Sequence, residues 1–111
     1  MAWPFSRGAS VLEVDVATAY ELSRKGAKLI DVRTRREFAQ GHPRGARNVP
    51  PEEARKLPKT MKPDTELLVI CLSGHRSAAV VKHLMSKGFS NVVNVRGGFR
   101  AWQQGGLPVK L

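Results

Sequence analysis

The sequence predicts one α/β domain in which a mainly parallel sheet lies between layers of helices. Three observations support this fold class. Short apolar runs of strand length alternate with segments of helical pattern, and Gly or Pro residues separate them. The run Leu67–Ile70 is apolar without a break, which is typical of a parallel strand buried on both faces. No repeat, linker or low-complexity tract divides the 111 residues, a length that one hydrophobic core can serve.

The first elements are predicted from their capping residues. A helix capped by Asp15 is expected as far as Lys25, followed by a short strand over Lys28–Val32. Thr34 and Glu37 have the spacing of a capping box, in which each side chain bonds the backbone N–H of the other position. We therefore expect a helix of one or two turns to begin there.

The later elements are bounded by glycine and proline, because Pro is favoured at the start of a helix and Gly just after its end. The expected elements, in chain order, are a strand at Arg47–Val49, a helix from Pro50 through Leu57, a turn-rich loop over Pro58–Asp64, the strand that ends at Cys71, a helix from Ser77 to Lys87, a strand over Asn91–Val95 and a short helix over Phe99–Gln104.

The net charge of +10 raises the question of a nucleic-acid partner. The Lys and Arg residues are spread along the chain, and neither an RNA-binding aromatic motif nor a helix-turn-helix signature accompanies them, so we expect none. No stretch is apolar enough to cross a bilayer and the amino terminus lacks a signal-peptide pattern, which predicts no membrane partner and a cytoplasmic location. Instead, the positive field would draw small anions or acidic proteins.

The candidate nucleophile is Cys71, the single cysteine, which opens a short polar loop at the carboxyl end of a predicted parallel strand. Open α/β sheets place their ligands at that edge. Backbone N–H groups that curl around the sulfur would stabilise a thiolate, and His75 and Arg76 would add to this effect. We therefore predict a pKa of Cys71 below the ordinary value of about 8.5. Gly74 permits the backbone dihedrals that such a loop needs.

Cys71 and His75 each also have a simpler, structural interpretation. A cysteine at the end of a strand is often only a small apolar side chain, but the Ser-Gly-His-Arg-Ser that follows Cys71 is too polar and basic to fill a core. His75 is either a group at the mouth of the pocket or a solvated loop residue, and the sequence leaves both open. One Cys and three scattered His have no metal-ligand spacing, so we expect no metal and no cofactor.

Five motifs occur in a fixed order along the chain: Ile30-Asp31-Val32-Arg33, Glu37-Phe38, Gly41-His42-Pro43-Arg44-Gly45-Ala46 with Asn48-Val49-Pro50, the Cys71 loop, and Arg96-Gly97-Gly98-Phe99-Arg100-Ala101-Trp102. Together they resemble the rhodanese (thiosulfate sulfurtransferase) homology domain, from about Val11 to Leu107. The resemblance implies a three-layer rhodanese-like fold, with residues 11–111 as a single domain and residues 1–10 as an N-terminal extension.

The resemblance also implies a reaction. Cys71 would take sulfane sulfur from a small anionic donor such as thiosulfate and hold it as a persulfide. The acceptor would be cyanide or a thiol, for example that of a thioredoxin-like or another sulfur-relay protein. The loop residues would bind the anions, with backbone N–H groups from Leu72 to Ser77 around the sulfur, Arg76 orienting the donor, and the Ser73 and Ser77 hydroxyls donating hydrogen bonds at the rim.

Four further residues are expected to support the structure rather than the chemistry. Asp31 and Arg33 resemble family positions that pair within the scaffold. Glu37 is most simply the partner of Thr34 in the capping box. His42 lies in a Gly-rich turn.

Three alternative functions stay open at this stage. Phosphatases related to this scaffold carry Cys-x5-Arg, whereas Arg76 follows Cys71 as Cys-x4-Arg, and the smaller ring suits a sulfur atom better than a phosphoryl group. Arsenate reductases that close a disulfide need a second thiol, which this chain lacks. The third alternative is a binding or regulatory module that uses the same scaffold without turnover.

Overall fold

The computed structural model describes residues 13–111; the expected extension at 1–10 and the domain start at 11 lie outside them. The elements of the described part follow in chain order as β1 (Glu13–Val14), α1 (Val16–Arg24), β2 (Lys28–Asp31), α2 (Arg35–Ala39), β3 (His42–Pro43), β4 (Arg47–Asn48), α3 (Pro51–Ala54), a 3-10 turn (Leu57–Lys59), β5 (Leu67–Ile70), α4 (His75–Ser86), β6 (Val92–Val95), α5 (Gly98–Gln104) and β7 (Val109–Lys110).

The central sheet has five parallel strands in the order β1-β6-β5-β2-β4. Strand β5 is in its middle, with Val69 aligned to Ile30 of β2 and to Asn94 of β6. The predicted fold class, a mainly parallel sheet flanked by helices, is confirmed. Because parallel strands end at the same edge, the register brings the residues after β2, β5 and β6 close together.

Alternate residues of β5 face two separate cores, which makes three layers. Leu67 and Val69 belong to the core covered by α3 and α4, whereas Leu68 and Ile70 belong to the core covered by α1 and α5. All four side chains are fully buried. This explains why the strand is apolar without alternation.

None of the helices in the described residues is both long and apolar enough to cross a membrane.

Two predicted helix boundaries are wrong. Helix α4 begins at His75, two residues before the predicted start, because Gly74 takes the left-handed conformation (φ 104°) and caps it. The predicted helix from Pro50 through Leu57 ends at Ala54 and gives way to the 3-10 turn. Pro58 explains this end, since its ring would clash with the carbonyl of the residue four positions earlier, Ala54.

A small antiparallel sheet was missed by the sequence analysis. Strand β3 pairs with β7, with His42 opposite Lys110 and Pro43 opposite Val109. Both strands are two residues long, so they carry no periodic signal. This pairing fastens the end of the chain to the turn after α2.

A buried ion pair fixes the carboxyl end of β2. The Arg33 guanidinium donates through Nε and Nη2 to both carboxylate oxygens of Asp31, at 2.7 to 3.1 Å. Nη2 also donates to the Gly41 carbonyl at 2.8 Å, and the guanidinium stacks 4.5 Å from the centre of the Phe99 ring. Asp31 and Arg33 are 0% and 3% exposed. The pair therefore ties β2 to the turn before β3 and to α5.

We expect Arg33→Met to lower the free energy of unfolding by about 3–5 kcal/mol, because it leaves the Asp31 carboxylate buried without its partner. The matched control is Arg35→Met, which removes the same charge from an exposed pair with Glu53 at 2.8 Å and should cost about 1 kcal/mol or less. Urea denaturation followed by tryptophan fluorescence measures both. Equal losses in the two variants would contradict this interpretation of the buried pair.

Candidate active site

The sulfur of Cys71 lies at the carboxyl end of β5, inside a loop of four residues. Cys71 is 1% exposed. Its Sγ accepts hydrogen bonds from the Gly74 backbone N–H at 3.1 Å and from the Ser77 hydroxyl at 3.2 Å. Gly74 has a left-handed conformation (φ 104°), which lets α4 begin directly after this N–H and which a residue with a side chain would adopt only under strain.

The surroundings of Cys71 favour the thiolate. Burial alone raises the pKa of Cys71, but the hydrogen bond from the Ser77 side chain and those from the backbone of Ser77, Gly74 and Ser73 outweigh it. The pKa is therefore lowered, in the direction predicted from the sequence. The predicted backbone N–H donors are among the causes, and the Ser77 hydroxyl, which was expected at the rim, is the largest of those that lower the pKa.

Asn94 is a site residue that the sequence analysis missed. It lies in the middle of β6, is 3% exposed and is aligned with Val69. Its Oδ1 accepts a hydrogen bond from the Ser77 hydroxyl, and its Nδ2 donates to the Gly74 carbonyl at 3.1 Å. Asn94 thus touches both residues that bond the sulfur. The sequence does carry a signal for this residue, because Asn94 is the single polar residue in the otherwise apolar run Val92–Val95.

Two carbonyl groups of the loop, those of Cys71 and Leu72, bond the backbone of α5. The Cys71 carbonyl accepts from the Phe99 N–H at 2.8 Å and the Leu72 carbonyl accepts from the Arg100 N–H at 3.1 Å. Gly98 makes this contact possible, because a Cβ there would stand 2.6 Å from the Leu72 carbonyl carbon. The first turn of α5 therefore holds the loop through these two carbonyl groups.

Arg76, in the first turn of α4, forms a two-bond ion pair with Glu37. Its Nη1 and Nη2 donate to the two carboxylate oxygens of Glu37, at 2.7 and 2.9 Å. This hydrogen bonding lowers the pKa of Glu37 to about 2 and raises that of Arg76. Glu37 also completes the predicted capping box with Thr34. The expected cap residue therefore has a second role, which the sequence did not reveal.

The remaining predicted residues are spread around the loop. Ser73 and His75 are exposed, and their side chains bond each other at 3.0 Å. Leu72 is half-buried against the core that includes α5. His42 stacks on the Phe38 ring, with centroids 3.6 Å apart, and its Nδ1 lies 2.9 Å from the Phe38 carbonyl. The structure therefore gathers Gly74 and Ser77 at the sulfur, leaves Ser73 and His75 exposed, and holds Leu72 and His42 half-buried.

Comparison with known proteins places the chain in a family. A model of the rhodanese-like domain matches residues 15–105. The chain is 35% identical to thiosulfate sulfurtransferase 16, chloroplastic, of Arabidopsis thaliana over 109 residues, covering 87% of this chain and 91% of that protein. It is 31% identical to the thiosulfate sulfurtransferase GlpE of Haemophilus influenzae over 100 residues, covering 90% of this chain and 95% of that protein.

A solved structure shows the same fold. The rhodanese-related protein from Thermoplasma volcanium superposes with a TM-score of 0.80 at 36% identity, covering 90% of this chain and 98% of that chain. The family model spans most of the chain, and both named relatives are matched over nine-tenths of their length or more. The resemblance inferred from the five motifs is thereby confirmed, and the chain belongs to the rhodanese-like domain family.

Proposed function

We propose that this protein is a sulfurtransferase that carries sulfane sulfur as a persulfide on Cys71. The observation that carries the proposal is the buried Cys71 sulfur, whose pKa is lowered by donors from Gly74 and Ser77. A thiolate of this kind is a nucleophile toward sulfur. The names of the two sulfurtransferase relatives support the same reaction class.

The proposed reaction has two half-reactions. The Cys71 thiolate attacks the outer sulfur of thiosulfate, a new bond forms from Sγ to that sulfur, and the S–S bond of thiosulfate breaks with its electron pair leaving on sulfite. The negative charge then rests on the terminal sulfur of the persulfide. An acceptor thiolate or cyanide attacks that terminal sulfur and releases the Cys71 thiolate. The cycle is of the ping-pong type.

The size of the loop supports sulfur as the transferred group. Only four residues, Cys71 to Gly74, separate β5 from α4, so the inward N–H groups close around a single atom. Donors held in place around a developing anion stabilise it without reorganisation. The persulfide extends the anion by one atom toward the loop mouth, where the exposed Ser73 and His75 side chains lie.

The ion pair between Arg76 and Glu37 would tune the capture of the donor. Two N–H groups of the guanidinium are occupied by Glu37, which leaves others of its five for an anion. Because the carboxylate offsets much of the Arg76 charge, an approaching thiosulfate would meet a weakened cation. Arg76 therefore orients the donor more than it attracts it.

Cys71→Ser is expected to abolish sulfur transfer. Intact-protein mass spectrometry after incubation with thiosulfate should show a gain of one sulfur atom in the wild type, reversed by cyanide with release of thiocyanate. The variant should gain none while remaining folded, since the Ser Oγ can still accept from Gly74. Ser86→Ala is the matched control, because that hydroxyl bonds the His83 carbonyl at the other end of α4, and it should load normally.

The absence of a sulfur adduct in the wild type with thiosulfate, and equally with a polysulfide, would contradict the carrier function. Hydrolysis of an aryl phosphate by such an unloaded protein would favour the phosphatase interpretation, and inactivity in both assays would favour a docking module.

The pH dependence should follow the lowered pKa of Cys71. Because the lowered value keeps the sulfur ionised to lower pH, the fall of kcat/KM for thiosulfate on the acid side should lie below the ordinary thiol range of about 8.5. Ser77→Ala removes the largest of the hydrogen bonds that lower the pKa. In this variant the acid limb of the kcat/KM profile should move to higher pH, toward the ordinary thiol range of about 8.5. An unmoved limb would exclude Ser77 as a donor to the thiolate.

Arg76→Ala and Glu37→Gln should change the KM for thiosulfate in opposite directions. Loss of the guanidinium should raise KM about five-fold, the equivalent of roughly 1 kcal/mol. Gln at position 37 keeps the capping box but removes the charge that offsets Arg76, so KM should fall and become more sensitive to salt. Steady-state kinetics at two ionic strengths measure both. A KM that rises in both variants would show that the pair acts only as structural support.

A further inference from the structure

Asn94 is a buried polar side chain that the sulfur chemistry proposed above does not use. Its neighbours in β6 are all valine, and all four residues are buried. Burying an amide is costly unless its donors and acceptor are bonded, and valine would suit a strand of this kind better. The reason for an Asn at this position should therefore lie in the hydrogen bonds that it makes.

The orientation of the Asn94 amide follows from its partners. The Gly74 carbonyl can only accept, so Nδ2 must face it, and Oδ1 consequently faces the Ser77 hydroxyl. Since Oδ1 can only accept, Ser77 must be the donor. The same hydroxyl oxygen lies 3.2 Å from the Cys71 Sγ. A hydroxyl has one hydrogen, so Asn94 and an ionised sulfur compete for it.

The charge on the sulfur decides this competition. As a thiol, Cys71 can donate to the Ser77 oxygen while Ser77 donates to Asn94, and every group is bonded. As a thiolate, Cys71 attracts the hydrogen more strongly, because hydrogen bonds to charged acceptors are the stronger ones. The hydroxyl then turns to Sγ, and the Asn94 oxygen is left buried without its donor.

The persulfide restores the first arrangement. Its negative charge rests on the terminal sulfur, one atom farther out, so Sγ becomes a neutral bridging atom. The Ser77 hydroxyl can then return to Asn94. Among the three states of Cys71, the thiolate alone leaves a buried acceptor unpaired.

We propose that Asn94 is a positioning residue that competes with the Cys71 thiolate for the Ser77 hydrogen and thereby favours conversion of the thiolate into the persulfide. This inference rests on the proposed persulfide carrier. An acceptor left unpaired in a buried site is unfavourable enough to shift an equilibrium by about tenfold. A thiolate that is stabilised less is also the better nucleophile, so the competition favours both the rate and the extent of loading.

The test compares Asn94→Leu in the wild type and in a Ser77→Ala background. Leu has a similar size and no acceptor, and the Gly74 carbonyl keeps its bond from the Ala78 N–H at 3.2 Å. Without the competitor, the pKa of Cys71 should fall by about one unit, as a tenfold shift requires. At a pH above the Cys71 pKa and a fixed ratio of thiosulfate to sulfite, the ratio of persulfide to free Cys71 should fall by a corresponding factor of about ten. In the Ser77→Ala background both effects should disappear.

The two readouts separate this inference from the proposed function. Ultraviolet absorbance of the thiolate against pH gives the Cys71 pKa without any sulfur transfer. If wild-type protein does not load, the carrier function fails, and the pKa comparison still decides whether Asn94 competes for the hydrogen. An unchanged pKa in Asn94→Leu, or the same shift with and without Ser77, would overturn the inference.

Folding and neighbouring charges are controlled in the same experiment. If Asn94→Leu does not fold, Asn94→Val takes its place, because a β-branched residue matches the rest of β6. The charged and titratable groups around the loop are unchanged in all four proteins, so their contributions cancel in the comparison; they are His75, Arg76, Glu37, Asp31 and Arg33.

Discussion

A sulfur anion buried in an apolar core must be surrounded by hydrogen-bond donors, and most of the structure near Cys71 serves this requirement. Burial alone would keep the thiol protonated. Strand β5 brings the sulfur to the sheet edge, and the first turn of α4 supplies Ser77. Gly74 supplies a backbone N–H. Strand β6 contributes Asn94, whose amide holds both donors. Strand β5, the loop and the start of α4 are one continuous stretch of chain, and Asn94 joins it from 17 positions after Ser77.

Much of this arrangement could be predicted from the sequence, because it depends on local signals. The apolar run before Cys71 indicates a buried parallel strand, and the glycine and polar residues after it indicate an anion-binding loop. The spacing of Thr34 and Glu37 indicates a helix cap. The five motifs together indicate the family, because their order and spacing along the chain are more specific than any single motif.

The rest could not be predicted, because it depends on contacts between distant segments. The pairing of Glu37 with Arg76 joins residues 39 positions apart. The bond between Asn94 and Ser77 arises only from the register of β6 beside β5. Strands β3 and β7 are too short to show a period. The early end of α3 is an exception, because it depends on Pro58, a signal that the sequence itself contains. Local signals therefore predict the place of Cys71 and its loop, whereas the contacts that Asn94 and Glu37 make with that loop come from the tertiary fold.

The bonds that join the carbonyls of Cys71 and Leu72 to α5 have a consequence for how such a protein can change. The Gly74 N–H bonds the sulfur, and the N–H groups of Phe99 and Arg100 bond the carbonyls of Cys71 and Leu72. None of these backbone contacts depends on the identity of the Leu72, Ser73 or His75 side chain. The Leu72, Ser73 and His75 side chains can therefore be exchanged without disturbing the backbone contacts that hold the Cys71 sulfur and its loop. Gly74 and Gly98 are the positions of this loop and its support that cannot accept a side chain without strain or a clash.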